Sequence, residues 1–385
     1  MIWINFLHFY QPATLEREVI VEAIKKSYQR IIKALIKNKN IKFTINVNGC
    51  LLKKMDELGY RSLIDDMKKL AKRGQIELVG TIAYHPIAPL IPEFEIKKQI
   101  KLQETILKKY FGDIKLKGFF LPEMAYSEEA AKLIKKLRYE WIILDEIAAT
   151  GKLSTMDCEK IYLDSSSGLQ VVFRQRNHSQ DYVPQVINRL LKKHFDGIII
   201  TATDAELYGL RHRDVSGGFE KILTDPELKT ITISEFIKLN KDQLETKVIP
   251  SSWESSEAEI LANNPHAIWR DEQNEIQVKI WELANLALDT IQKFSNDPQF
   301  DWAELHLRRG LASCTFWWAS GKEMSSFKTL SWSPDEIERG LNELIKSIRT
   351  LDDPDTREIK IKAEELYLAI KKMVWEKHWN QHWKK

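Results

Sequence analysis

Gly197-Ile198-Ile199-Ile200-Thr201-Ala202-Thr203-Asp204-Ala205-Glu206 is an apolar, β-branched run that opens on glycine and ends on acids. A short apolar run between such punctuation reads as a strand buried on both faces, the kind found in parallel sheets. Its acids then fall just past the carboxyl end of the strand, the edge where α/β folds gather ligands. Lys117-Gly118-Phe119-Phe120-Leu121-Pro122-Glu123 repeats the arrangement, with Glu123 after the proline.

Working outward, further strands are expected at 2–9, 41–47, 76–80, 118–121, 141–144, 169–173 and 197–202, with a weaker eighth at 230–233. Helical periodicity fills the gaps: 15–37 carries Val19, Ala23, Ile24, Ile31 and Leu35 on one face, and 94–110 and 128–137 behave likewise. Strand–helix alternation implies a parallel sheet. The expected fold is therefore α/β, a seven-stranded (β/α) barrel over residues 1–250. After Val248-Ile249-Pro250-Ser251-Ser252-Trp253 only helices are expected, at 274–294, 302–318, 334–349 and 355–379, so residues 251–385 read as an α-helical domain completing the active-site cleft. Ser333 before Pro334 is a helix-start signal.

The chain has 385 residues, 43% hydrophobic and 29% charged, in keeping with a globular enzyme. Its 58 basic and 55 acidic residues give a net charge of +3, which implies no nucleic-acid partner. Cys50, Cys158 and Cys314 are odd in number and far apart, so neither a disulfide framework nor a metal spacing is expected, and a reducing, cytoplasmic setting is. Met1-Ile2-Trp3-Ile4-Asn5-Phe6-Leu7 lacks the basic lead and cleavage site of a signal peptide and reads as the first strand. No apolar run is long enough to span a membrane. Oligomeric state is not legible.

Ten of the twelve tryptophans follow residue 250, which first suggests an aromatic helical core. Trp269 and Trp332 lie in expected loops and are candidate platforms for sugar rings. Most strand ends are polar: His8-Phe9-Tyr10-Gln11, Asn46, Glu77 with Tyr84-His85-Pro86 beyond it, Glu123, Asp145-Glu146, Arg174-Gln175-Arg176, and Asp204 with Glu206. Side chains so placed converge on one pocket. Acids on two different strand ends can face each other there, as glycoside hydrolysis requires. Plainer readings compete. His8 could be a core histidine, and Asp204 and Glu206 could pair with Arg211 or Arg213. Glu123 could cap a helix, although Ser127 fits that task better, and Asp145 and Glu146 suit a supporting role.

These motifs together resemble glycoside hydrolase family 57. His8-Phe9-Tyr10-Gln11-Pro12 is similar to the family's His-x-His-Gln-Pro opening, and Gly74-Gln75-Ile76-Glu77 to its Gly-Gln-(Ile/Val)-Glu segment. Phe120-Leu121-Pro122-Glu123 is similar to Trp-x-Pro-Glu, and Asp204-Ala205-Glu206-Leu207-Tyr208-Gly209 to Asp-Gly-Glu-x-Phe-Gly. Tyr10, Phe120 and Ala205 depart from the pattern in the sugar-contacting wall. The resemblance implies a retaining enzyme on α-glycosidic bonds, preferably of α-1,4-glucan, with α-galactoside cleavage or branching as alternatives. It implies Glu123 as nucleophile, Asp204 as acid/base, and His8, Gln11, Glu77, His85, Arg174 and Glu206 as substrate-binding residues, beside the candidate platforms Trp269 and Trp332. No metal and no cofactor is implied; the partner is an oligo- or polysaccharide. Two readings of other classes stand beside it. A metal-dependent polysaccharide deacetylase would need an Asp pair on the first strand, which ends in His8 alone, and a His-x-x-x-His on a following helix, whereas His85 has no histidine four residues away. A non-catalytic carbohydrate-binding relative would bind sugar without a covalent adduct.

Overall fold

The computed structural model describes residues 1–240, 242–324 and 329–383. They form two compact units, one of Met1–Ala83 with Ala88–Pro265, the other of Tyr84–Ile87 with His266–Lys385. In the first unit, β1 (Ile2–Phe9) is the central strand of a five-stranded sheet. It pairs in parallel with β2 (Phe43–Val47) and β8 (Ile198–Asp204), and β2 pairs with β3 (Ile76–Leu78). A short β9 (Lys229–Thr230) joins the start of β1. Trp3, Leu7 and Phe9 enter the core that the flanking helices cover, while Phe6 and His8 are buried on the opposite face. Burial on both faces explains the nearly continuous apolar run of this strand.

The second sheet holds β4 (Gly118–Phe119), β5 (Trp141–Asp145), β7 (Gln170–Arg174), β6 (Ile161–Asp164) and β10 (Gln243–Thr246). β6, between β10 and β7, runs antiparallel to β7, an arrangement absent from the sequence expectation. The closed seven-stranded ladder expected from the sequence is not formed among the described residues: two sheets meet at two thin seams. At one, Gly80 alone bridges Phe119, with the Gly80 N–H on the Gly118 carbonyl at 2.9 Å and the Phe120 N–H on the Gly80 carbonyl at 2.8 Å. At the other, the Gln175 N–H reaches the Ile200 carbonyl at 3.0 Å, and the Gln175 side chain, not a further main-chain group, accepts the Ile200 N–H at 2.9 Å. The physical reason is strand length. β3 and β4 are three and two residues long, and Arg174 is followed at once by the helical turn Arg176–Ser179. Gly80 also has to be glycine, since a Cβ there would lie 2.4 Å from the Tyr139 ring.

The second unit is built on the helices Glu275–Lys293, Phe300–Gly310, Pro334–Arg349 and Arg357–Lys377. Ser333 caps the third of these through the Glu336 N–H, as the Ser-Pro signal implies. Trp281 stacks on Phe316 at 4.0 Å in its core. The expectation of helices alone fails at one point: Glu323–Met324 and Thr329–Leu330 pair as a short antiparallel hairpin. No helix among the described residues is long and apolar enough to cross a membrane.

Candidate functional site

The site lies in the first unit, beyond the carboxyl ends of β1 and β8. Their register sets His8 beside Asp204. The His8 ring is buried, hydrogen-bonds through Nδ1 to Asn46 Oδ1 at 2.6 Å, and lies against Tyr10 and Phe120 at 5.6 and 4.8 Å between centroids. Burial pulls its pKa below the usual histidine value, against the opposing charge of Asp204. Asp204 is partly exposed, and Arg211 Nη1 reaches its Oδ2 at 3.4 Å, so the ion pair weighed as a plainer reading does form.

Glu206, two residues on, is buried in a polar nest. Gln11 Nε2 donates to its Oε1 at 2.9 Å, and the Tyr28 hydroxyl bonds the same oxygen. Tyr28 also lies 3.0 Å from the Tyr10 carbonyl. Tyr28 and Ser27 sit on a π-helical turn, Ile24–Tyr28, that interrupts the first long helix, and the Ser27 hydroxyl donates to the Ala205 carbonyl. Such wide turns recur at functional sites because they re-aim side chains. Burial, then the charge of Asp204, pushes the Glu206 carboxyl up to about 7. The Tyr28 hydroxyl is held well above its ordinary value by burial and by Glu206.

Glu123 stands on a tight turn, Pro122–Met124, that follows β4. Its backbone is left-handed (φ 59°, ψ 17°), and so is that of Met124 (φ 51°). Non-glycine residues enter this region at a cost on the order of 1–3 kcal/mol, and only where surroundings hold them. The holding group is Trp253: its N–H donates to the Glu123 carbonyl at 3.1 Å and its indole Nε1–H to Glu123 Oε2 at 2.7 Å. Trp253 also lies against Phe120 at 5.8 Å and His8 at 6.1 Å. The Glu123 turn and the His8–Asp204 strand ends therefore share one aromatic wall. Glu123 caps no helix; Ser127 does so, accepting the Ala130 N–H at 3.2 Å.

Behind the wall lies a buried ion cluster. Asp145 receives Arg174 Nε at 2.7 Å and Arg176 Nε at 2.9 Å. Arg174 spends its other nitrogens on the carbonyls of Ala202 (2.7 Å) and Trp253 (3.4 Å), with its guanidinium 5.1 Å over the Trp253 ring. Arg176 holds the carbonyls of Ser255 (2.7 Å) and Ser252 (3.4 Å). Arg174 was expected to hold sugar hydroxyls; three of its five N–H donors go to protein oxygens. Glu254, beside Trp253, is pushed up to about 7 by burial, with Arg174 and Arg176 pulling down and Asp204 and Asp145 pushing up.

The remaining expected residues have partners of their own. Glu77 is level with Thr44 and hence with Phe6, not His8, so it sits back from the strand ends. Its carboxylate accepts the Ser234 N–H at 3.0 Å and the Thr44 hydroxyl at 3.2 Å, serving the start of the helix Ile233–Leu239, and burial raises its pKa. His85 belongs to the second unit, where its Nδ1 and carbonyl engage Ser313 Oγ (3.0 Å) and N–H (2.9 Å). Trp269 and Trp332 are also in that unit and are buried, Trp269 completely, because its loop folds over the helix bearing Trp281, whose Nε1 donates to the Trp269 carbonyl at 2.9 Å. Trp332 packs on His382 at 4.8 Å under the Lys377 ammonium. Neither presents an open platform. Sequence reasoning missed Tyr28, Trp253 and Glu254 as site residues; the one available signal was the aromatic-acid pair Trp253-Glu254 in an otherwise small, polar stretch. No cluster of three metal-ligating side chains occurs among the described residues.

The family model described as glycosyl hydrolase family 57 matches residues 5–251. An α-amylase of Pyrococcus horikoshii is 32% identical over 146 residues, 37% of this chain and 23% of that protein. A 4-α-glucanotransferase of Thermococcus litoralis is 28% identical over 146 residues, 37% of this chain and 22% of that protein. The matched stretch thus spans less than a quarter of either relative. Among solved structures, the fold is shared with the Thermococcus litoralis 4-α-glucanotransferase (TM-score 0.70, 16% identity, 91% of this chain and 60% of that one). It is shared as well with a GH57-type branching enzyme of Pyrococcus horikoshii (TM-score 0.68, 16% identity, 95% and 94%).

Proposed function

The chain belongs to glycosyl hydrolase family 57, and from that premise we propose that it cleaves or transfers α-glycosidic bonds, of α-1,4-glucan or maltooligosaccharides in the first place, with retention of configuration. The observation that carries the reading is the Trp253 wall. One indole donates to Glu123 at 2.7 Å and packs against His8, whose strand neighbour is Asp204. This supports a reading in which two acids from separate strand ends serve one site, as double displacement demands. Glu123 attacks the anomeric carbon while Asp204 gives its proton to the departing oxygen; a glycosyl ester on Glu123 and a free hydroxyl result. Asp204 then takes the proton of water, or of an acceptor sugar hydroxyl, as that oxygen displaces Glu123. Neutral His8, held by Asn46, contributes a hydrogen bond to a sugar hydroxyl, and Glu206, fixed by Gln11 and Tyr28, backs the acid/base side. The names of the relatives, α-amylase and 4-α-glucanotransferase, support the substrate class. α-Galactoside cleavage and branching remain tests of the same site, and the cysteine spacing supports a reducing compartment as its setting.

The test is chromatography of products from maltooligosaccharides, pullulan and α-galactosides, combined with mass spectrometry after a mechanism-based α-glucosyl inactivator. The expected result is turnover of a maltooligosaccharide and a covalent adduct on the peptide containing Glu123. No turnover and no adduct would overturn the reading in favour of a carbohydrate-binding protein.

A further inference from the structure

Building on the reading of Glu123 as nucleophile, we infer that Trp253 is a positioning residue for that carboxylate, seated by the Asp145–Arg174–Arg176 cluster. Four observations lead there. Glu123 has a left-handed backbone (φ 59°, ψ 17°) that its own side chain disfavours. Left to itself, the turn would relax and swing the carboxylate away. Trp253 grips it twice, on the main-chain carbonyl at 3.1 Å and on Oε2 at 2.7 Å. Both donors belong to one residue, so the backbone twist and the side-chain direction of Glu123 are set together. A charge-assisted bond from the indole also favours the ionised carboxylate, the form that attacks.

Trp253 in turn is held by what surrounds it. Arg174 meets its carbonyl at 3.4 Å and lies 5.1 Å over its ring, while Arg176 takes the carbonyls of Ser252 and Ser255 on either side. Asp145 ties the two guanidiniums together at 2.7 and 2.9 Å. The Tyr126 N–H, three residues past Glu123, closes the circle on the Ser251 carbonyl at 2.8 Å. Segment 251–255 is thus pinned on both sides, and the cluster that pins it contributes no group to the Glu123 carboxylate. Arg174 and Arg176 act on the nucleophile only through this loop. A guanidinium is suited to that use, because its donors diverge in a fixed plane and can fasten several carbonyls at once.

The test uses Trp253→Phe in the full chain, with 4-nitrophenyl α-maltoside as substrate. Phenylalanine keeps the ring contacts and the N–H on the Glu123 carbonyl and removes only the indole donor. The activated leaving group needs little protonation, so the rate reports attack by Glu123. We expect kcat/KM to fall roughly 10- to 100-fold, the loss residing in kcat with KM within about threefold. We also expect the acid limb of the pH profile to move to higher pH, because the carboxylate has lost a donor. Arg176→Lys, which touches neither Glu123 nor the sugar, should lower kcat in the same direction without raising KM. Parent-like kinetics and an unmoved acid limb in Trp253→Phe would overturn the inference, as would a loss carried wholly by KM, the mark of a sugar platform. Should Arg176→Lys fail to fold, Trp253→Phe decides alone, since it leaves the ion cluster intact. Glu123→Gln separates the two levels: if it is inactive while Trp253→Phe is normal, only the positioning role falls, and if it stays active the nucleophile assignment itself falls.

Discussion

The two acids at the centre of the site are supported in opposite ways. Asp204 ends a regular strand, in register with His8, with Arg211 on its carboxylate and, two residues on, the titratable Glu206 held by Tyr28 and Gln11. Glu123 sits on a strained turn and takes two hydrogen bonds from Trp253, 130 positions away in sequence. The difference matches what the proposed roles ask of each. A group that gives and takes a proton gains from titratable neighbours, whereas a group that forms a bond gains from being held still.

The largest effects fall on the acids themselves. Glu123→Gln and Asp204→Asn should each lower turnover on the order of 10⁴-fold or more on natural glucans, with the melting transition retained. Added azide should divide them. In Glu123→Gly it can enter the vacated side and attack directly, giving a glycosyl azide of inverted configuration. In Asp204→Ala it can replace water in the second step without needing a base, giving retention. Identical azide products from both would break the contrast.

Next comes stability of the nucleophile side. Arg176→Met leaves Asp145 buried with one partner removed, and breaking a buried pair costs about 3–5 kcal/mol, read from denaturant unfolding. A change below about 1 kcal/mol would show that the cluster is relaxed and the loop pinned by other means.

On the proton side the effect is one of pH. Glu206 titrates near 7 in the folded chain against 4.5 ordinarily. The folded state thus binds the proton more tightly, so Glu206 contributes its full stability below about 4.5, loses it as pH rises to about 7, and is flat above. Glu206→Gln should remove that slope from the unfolding free energy. Tyr28→Phe takes away a donor to the ionised carboxylate and should extend the slope above pH 7, since the Tyr28 bond lowers the Glu206 value. An unchanged profile in both would mean that Glu206 is ionised throughout.

The smallest effect is expected at Arg211. Its 3.4 Å pair with Asp204 is 43% exposed on the arginine side, and pairs of that kind contribute about 0–1 kcal/mol. Arg211→Gln should therefore change stability by less than about 1 kcal/mol in thermal unfolding.

What could be read from the sequence was whatever is encoded locally. β1 and β8 announced themselves as apolar runs, Ser127 and Ser333 as caps, and Glu123, Asp204 and His8 as polar ends of strands. The features that escaped are made by partners distant along the chain. Nothing near Trp253 says that its indole meets Glu123, and nothing near Arg174 says that its donors are committed to Asp145, Ala202 and Trp253. Glu77 was grouped with the strand ends, but register sets it level with Phe6. Trp269 and Trp332 lie in loops, as expected, yet loops that fold inward bury their indoles. The seams where the two sheets meet likewise rest on single residues, Gly80 and Gln175, that no periodicity reveals.

The widened coil at Ile24–Tyr28 holds one more residue than an ordinary pitch would need. Excising a single codon there would let the helix wind evenly, with the flanking turns keeping their faces and the bulged residues losing theirs. Ser27 and Tyr28 would then swing off the Ala205 carbonyl and Glu206, leaving a buried acid without its phenol. A point deletion far from either strand end, in a segment with the look of a routine amphipathic helix, should therefore silence the protein's acid chemistry while sparing its architecture.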